Sequence, residues 1–125
     1  MKQQTLTKSE MQLMNILWNL NRGACVNDIL AQYPDPKPAY TTIATFLKIL
    51  TQKGFVEHKK GSGKLLIYSP LITKEKYRRQ VMEEVKDDFF GNSFKSMFSF
   101  FVREEHLTSE DIQELINQIK EEEKI

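Results

Sequence analysis

Cysteine occurs once in the 125 residues, at Cys25. That excludes an intramolecular disulfide and a cysteine-rich metal centre, and the thiol reads as a small, partly buried side chain. No run of about 18 apolar residues is present, which is the length a membrane-spanning helix requires. The N-terminal stretch also lacks the apolar core of a signal peptide, so a cytoplasmic protein without membrane insertion is expected. Histidine is scarce: neither His58 nor His106 stands at a spacing from a cysteine, serine or carboxylate that suggests a nucleophile or a metal triad. Both read as surface residues. An enzyme is therefore not expected, and neither a cofactor nor a metal site is legible.

Net charge is small as well, at +1, but the near-balance hides a division. Residues 1–72 carry nine Lys/Arg against four Asp/Glu, and residues 73–125 carry nine against thirteen, giving +5 and −4. The basic half is the candidate for a polyanionic partner, and the acidic half must do something else. At this length the chain holds one ordinary domain or two very small ones.

Residues 39–53, AYTTIATFLKILTQK, are the most informative segment. At about 100° per residue, Ile43, Phe46, Leu47 and Leu50 form one apolar stripe, while Thr45, Lys48 and Gln52 lie within about 40° of Thr41 on the side opposite it. Short hydroxyls, an amide and a cation suit a major groove: threonine offers a hydroxyl and a methyl to base edges, and lysine serves guanine or phosphate. Tyr40 at the helix start and Thr42 on its flank join the candidate contacts, Thr42 towards the backbone. An ordinary solvated helix face would look the same in isolation, so the residues C-terminal to the helix decide between the two. Lys53-Gly54 is a stop signal. Beyond it Phe55-Val56 and Leu65-Leu66-Ile67-Tyr68 flank a Gly61-Ser62-Gly63 turn bearing Lys59, Lys60 and Lys64. A lysine-tipped hairpin after such a helix predicts a winged helix-turn-helix, with double-stranded DNA as partner.

Around this motif the spacing predicts further helices. Thr7 caps the first, Glu10 reaches back to it, and Leu6 and Met11 form a staple. Leu13, Ile16, Leu17 and Leu20 continue that helix, with Met14 and Trp18 widening its buried side. A short second helix covers roughly 26–32, and the proline-rich 33–38 segment ends it. After Pro70 the pattern becomes purely helical. Tyr77, Val81, Val85 and Phe89 recur every four residues; Phe94, Met97, Phe98 and Phe101 come after a Gly91-Asn92 break; Ile112, Leu115, Ile116 and Ile119 come after a Thr108/Asp111 cap. Three such helices bury too little apolar surface alone, and a second copy is the expected source of their core. Phe100, off the stripe of its helix, would be an exposed aromatic in a monomer and points the same way.

The expected fold is therefore mostly α with a small β wing. A winged helix-turn-helix domain occupies residues 1–72, and an all-helical, three-helix dimerisation domain occupies 73–125. A winged helix used only for protein contact is the competing reading, and the lysine tip argues against it.

The segments LTKSEMQLMNILW, AYTTIATFLKILTQKGFVEHKKG, IYSPLI and FVREEHLTSEDIQELI together resemble the penicillinase-repressor family, the BlaI/MecI group of bacterial transcriptional repressors. The resemblance covers nearly the whole chain. It implies a homodimer on a palindromic operator, repression of genes often concerned with β-lactam resistance, and release by a cut in the dimerisation domain commanded by a transmembrane sensor-protease. Staphylococcal members carry basic residues where this chain has Ala44 and Ile49, which implies a different operator sequence. The family's cut falls at an Asn-Phe pair, and the matching pair here is Phe100-Phe101. Copper-sensing relatives have a cysteine-rich tail that this sequence lacks.

Overall fold

The computed structural model describes residues 5–124. It contains α1 (Lys8–Leu20), α2 (Val26–Leu30), α3 (Tyr40–Lys53), β1 (Val56–Lys60), β2 (Leu66–Pro70), α4 (Lys74–Phe89), α5 (Phe94–Glu104) and α6 (Ser109–Glu123). The mostly helical, winged architecture is the one the sequence pattern anticipates. Two compact units are formed, Met1–Gln80 and Val81–Ile125.

In the first unit, local signals set the ends of the helices. Thr7 accepts from the Glu10 amide at 3.2 Å while the Glu10 carboxylate accepts from the Thr7 amide at 2.8 Å, a reciprocal cap. The left-handed Asn21 ends α1. Helix α2 stops at Leu30, slightly earlier than the pattern suggests, because its last carbonyls turn to Lys37. That ammonium donates to the carbonyls of Tyr33, Leu30 and Ala31 at 2.6, 3.2 and 3.4 Å, and so clamps the turn leading into α3. Gly54 ends α3 at φ +84°, a conformation that strains any side chain, and the Phe55 amide returns to the Leu50 carbonyl at 2.9 Å.

Leu13, Met14 and Leu17 of α1, Ile29 of α2, Ile43, Leu47 and Leu50 of α3, and Phe55 are all fully buried. The apolar stripe of α3 thus faces inward, which leaves its polar stripe outside; Phe46 is half-buried at the edge. Strands β1 and β2 pair antiparallel with His58 opposite Tyr68 and Lys60 opposite Leu66. Residues Ala24 and Tyr68 exchange backbone hydrogen bonds at 2.9 and 2.8 Å, covering the other edge of β2. Gly23 permits this approach, since a Cβ there would lie 2.5 Å from the Ile67 side chain.

The first unit ends further along the chain than the residue-72 boundary expected from the sequence. The first turns of α4 belong to it: Trp18 donates its indole N–H to the Ile72 carbonyl at 2.9 Å, and Tyr77 packs edge-on to Phe55 while its hydroxyl accepts from the Leu6 amide at 3.0 Å. Tyr77, grouped by its spacing with the dimerisation stripe, is therefore core of the winged unit. Its ring is buried and unavailable to another chain.

One ion pair joins α1 to the end of α3. Lys53 donates to the Glu10 carboxylate at 2.8 Å, with Glu10 only 4% exposed. Burial pushes the Glu10 carboxyl up, but the Lys53 ammonium and the Thr7 amide and hydroxyl outweigh it and hold its pKa below the ordinary glutamate value. A carboxyl depressed in the folded state adds stability above its unfolded pKa, near ~4.3, and loses it as pH falls through the folded value. Lys53→Met should accordingly cost about 3 kcal/mol at neutral pH by leaving a buried carboxylate unpaired. Urea melts across pH should show that deficit narrowing below pH ~4 as Glu10 protonates in both proteins. A deficit independent of pH would mean that Lys53 acts only through packing.

The second unit has well-formed ends and little interior. Ser93 caps α5 by accepting from the Ser96 amide at 3.1 Å, and Thr108 and Asp111 cap α6 reciprocally at 3.1 and 2.9 Å. Gly91 and Asn92, and later His106, take left-handed conformations that break the helices. From Val81 to Lys124 only Met97 is buried. Val81, Val85 and Ile112 are half-buried, whereas Leu115, Ile116, Ile119, Phe98 and Phe101 are exposed, with Phe94 at 62% and Phe89 at 77%. Phe100 is partly covered, its ring 5.4 Å from that of Phe90 and 5.3 Å from that of Phe101. No helix among the described residues is long and apolar enough to cross a membrane.

Candidate nucleic-acid interface

Tyr40, Thr41, Thr42, Thr45, Lys48 and Gln52 line α3, and all six are exposed to a partner from outside, with Tyr40 51% exposed. The Thr45 hydroxyl donates to the Thr41 carbonyl at 2.9 Å, so what it presents outward is a methyl and an acceptor oxygen. That pair of groups suits a thymine methyl or a base amino group. At the start of α3, Ala39 supplies no side-chain cap, which leaves the first amides open to a phosphate oxygen.

In the wing, Glu57, His58, Lys59 and Lys60 are exposed on β1, and Lys64 is exposed at the tip. The turn is closed by the Gly61 amide donating to the Leu65 carbonyl at 2.7 Å, with Gly63 left-handed. None of the ion pairs among the described residues involves Lys48, Lys59, Lys60 or Lys64, in contrast to Lys53 and Arg22. Unpaired lysines keep their charge for an outside polyanion. The three wing lysines nonetheless divide between two faces. The alternation of a strand puts Lys60 with His58, Tyr68 and Leu66 on one side, and Lys59 with Glu57 and Ile67 on the other.

Dividing the charge at the observed unit boundary sharpens the contrast. Residues 1–80 carry thirteen Lys/Arg against five Asp/Glu, and residues 81–125 carry five against twelve, giving +8 and −7. Lys74, Lys76, Arg78 and Arg79, counted with the acidic half when the cut is made at residue 72, belong with the basic unit.

Between the first turn of α3 and the wing lies a cleft of about 460 Å³ lined by Val26, Tyr40, Ala44, Lys64, Leu65, Leu66 and Tyr68. Sequence patterning picked out Tyr40 and Lys64 but gave Tyr68 and Ala44 no role in contact. Only the alternation of β2 hinted that Tyr68 and Leu66 share a face. A larger open groove, about 540 Å³, runs past Trp18, Arg22 and the β2–α4 connection and includes none of the exposed α3 residues named above. Among the described residues no group of three or more His, Cys, Asp or Glu is placed to hold a metal ion.

An exposed polar helix after a short helix and a clamped turn, backed by a two-stranded wing with unpaired lysines, defines a winged helix-turn-helix, DNA-binding regulator of transcription. Comparison with known proteins narrows the class. The penicillinase repressor family matches residues 6–121, and the chain belongs to that family. It is 27% identical over 113 residues to the methicillin resistance regulatory protein MecI of Staphylococcus aureus, with 90% of each chain covered. The penicillinase repressor of Bacillus licheniformis is 27% identical over 117 residues, covering 93% of this chain and 90% of its own length. The penicillinase repressor of Staphylococcus aureus is 24% identical over 115 residues, covering 91% and 90%.

Proposed function

We propose that this chain represses transcription as a homodimer on a pseudo-palindromic operator, in a regulatory system of the β-lactam-resistance type, and that a cut in its acidic unit relieves repression. The observation that carries the reading is the coexistence of two unlike surfaces: a threonine and lysine face on α3 flanked by unpaired wing lysines, and an acidic unit whose aromatic and aliphatic side chains lack cover. Thr41, Thr45 and Lys48 read base edges; Tyr40 and Thr42 touch the backbone; Lys59, Lys60 and Lys64 serve phosphates. Val81, Val85, Phe89, Phe94, Phe98, Phe101, Ile112, Leu115, Ile116 and Ile119 supply the dimer core. Two reading helices related by a two-fold axis require half-sites about one helical turn apart, roughly 10 base pairs, or a multiple of that.

A duplex selected from a random library tests this. Footprinting should show two symmetric half-sites, and the logarithm of affinity should fall with the logarithm of salt at a slope near −5, from about six wing-lysine contacts per dimer. Lys60→Gln should lower that slope by about two, one contact per protomer. One protomer on an asymmetric site, or affinity insensitive to salt, would sink the reading in favour of a module for protein contact.

A further inference from the structure

Tyr68 has an unusual position for a core aromatic. Its side chain is 9% exposed and lies beside His58 at 5.6 Å between ring centres, yet it lines the cleft between α3 and the wing, and its hydroxyl makes no hydrogen bond to the described residues. Burial, and then the neighbouring Tyr40 phenol, push its pKa up, so the hydroxyl remains a proton donor at physiological pH. Tyr40 brings a second phenol to the same cleft, and Lys64 brings an ammonium. No Asp or Glu lines the cleft; by strand alternation Glu57 lies on the opposite face of the wing. Leu65 and Leu66 provide apolar wall, and the small Ala44 side chain keeps the floor open.

We propose that this cleft is a seat for one phosphodiester of the DNA strand that runs between the reading helix and the wing. The Tyr68 and Tyr40 hydroxyls and the Lys64 ammonium hold the phosphate, and Leu65 and Leu66 lie against its deoxyribose. Two neutral donors and one cation around a concave, partly apolar site match a singly charged phosphodiester with a sugar on each side, and offer no acceptor pattern that distinguishes bases. The seat rests on the DNA-binding reading proposed above and adds to it a buried positioning group, Tyr68, that fixes how far the wing stands from α3 when DNA is bound.

Tyr68→Phe keeps the ring in the core and removes the hydroxyl. In the full-length protein it should weaken binding of the dimer roughly a hundredfold, about tenfold for each of the two seats, the scale of a hydrogen bond to a charged group. The loss should be equal on a selected duplex and on a mixed-sequence duplex, with the salt slope unchanged. Lys64→Gln should lower the slope, and the double variant should lose less than the product of the single losses, because both groups hold one phosphate. Tyr40→Phe, at a half-exposed ring, repeats the test without touching the core. Wild-type affinity in both tyrosine variants while Lys64→Gln weakens binding would overturn the seat but leave DNA binding standing. Wild-type affinity in all three would overturn the placement of the wing on DNA as well. Inorganic phosphate at matched ionic strength should release the duplex no better than chloride; stronger release would show that the cleft takes the free anion and would overturn the assignment to the strand.

Discussion

Ile116→Asp is expected to leave the winged unit folded while making the repressor monomeric, and to weaken binding to a two-half-site duplex by roughly 10²–10⁴-fold. Ile116 lies on α6 and is 40% exposed, as are its neighbours Leu115 and Ile119 to a similar degree. In a monomer an aspartate at such a site would be nearly neutral for stability. In a dimer it would place a charge in the apolar contact and leave it unpaired, which is strongly unfavourable. The loss in DNA affinity comes from effective concentration, because a half-site held by one protomer no longer brings the second protomer to its own half-site. Sedimentation should report the change in mass, and affinity for an isolated half-site should be unchanged. A variant that stayed dimeric and bound the full site normally would remove α6 from the interface.

Cutting the chain between Phe100 and Phe101 should have an effect as large, by a different route. The bond lies within α5, where the Glu105 amide donates to the Phe101 carbonyl at 2.9 Å, and a protease needs its substrate extended. Local unwinding of α5 must precede the cut, and the scarcity of buried side chains in this unit keeps that opening cheap. The cut detaches Phe101 and the whole of α6 from the rest of the chain, with Ile112, Leu115, Ile116 and Ile119. Mass spectrometry of the protein from induced cells should find a fragment ending at Phe100. Intact protein under full derepression would exclude this route of release.

Much of the fold was legible because its determinants are local. The reciprocal caps at Thr7 and Thr108, the Gly54 stop, the inward stripe of Ile43, Leu47 and Leu50, and the wing turn each depend on residues a few positions apart. What escaped depends on partners far along the chain. Tyr77 repeats at the same four-residue interval as Val81 and Val85, and periodicity cannot tell a face buried at home from one awaiting another copy; Phe55, brought close by the turn after α3, decides it. Lys53 reads as a cation favouring a helix end, whereas its partner is Glu10, far back along the chain in α1. The cleft assembles residues from α2, α3 and the wing, so neither the accessible Tyr68 hydroxyl nor the part played by Ala44 is visible in any single segment.

The opposite charges of the two units, +8 and −7, also bear on how the protein finds DNA. Each unit therefore meets the field of a polyanion with its own sign: before any contact forms, the winged unit is drawn towards the phosphates and the acidic unit is repelled. Encounters that would present the acidic unit are thereby disfavoured at long range. The acidic helices would guide the approach by this repulsion, and the guidance fades as salt shortens the reach of the field to about 8 Å at physiological ionic strength.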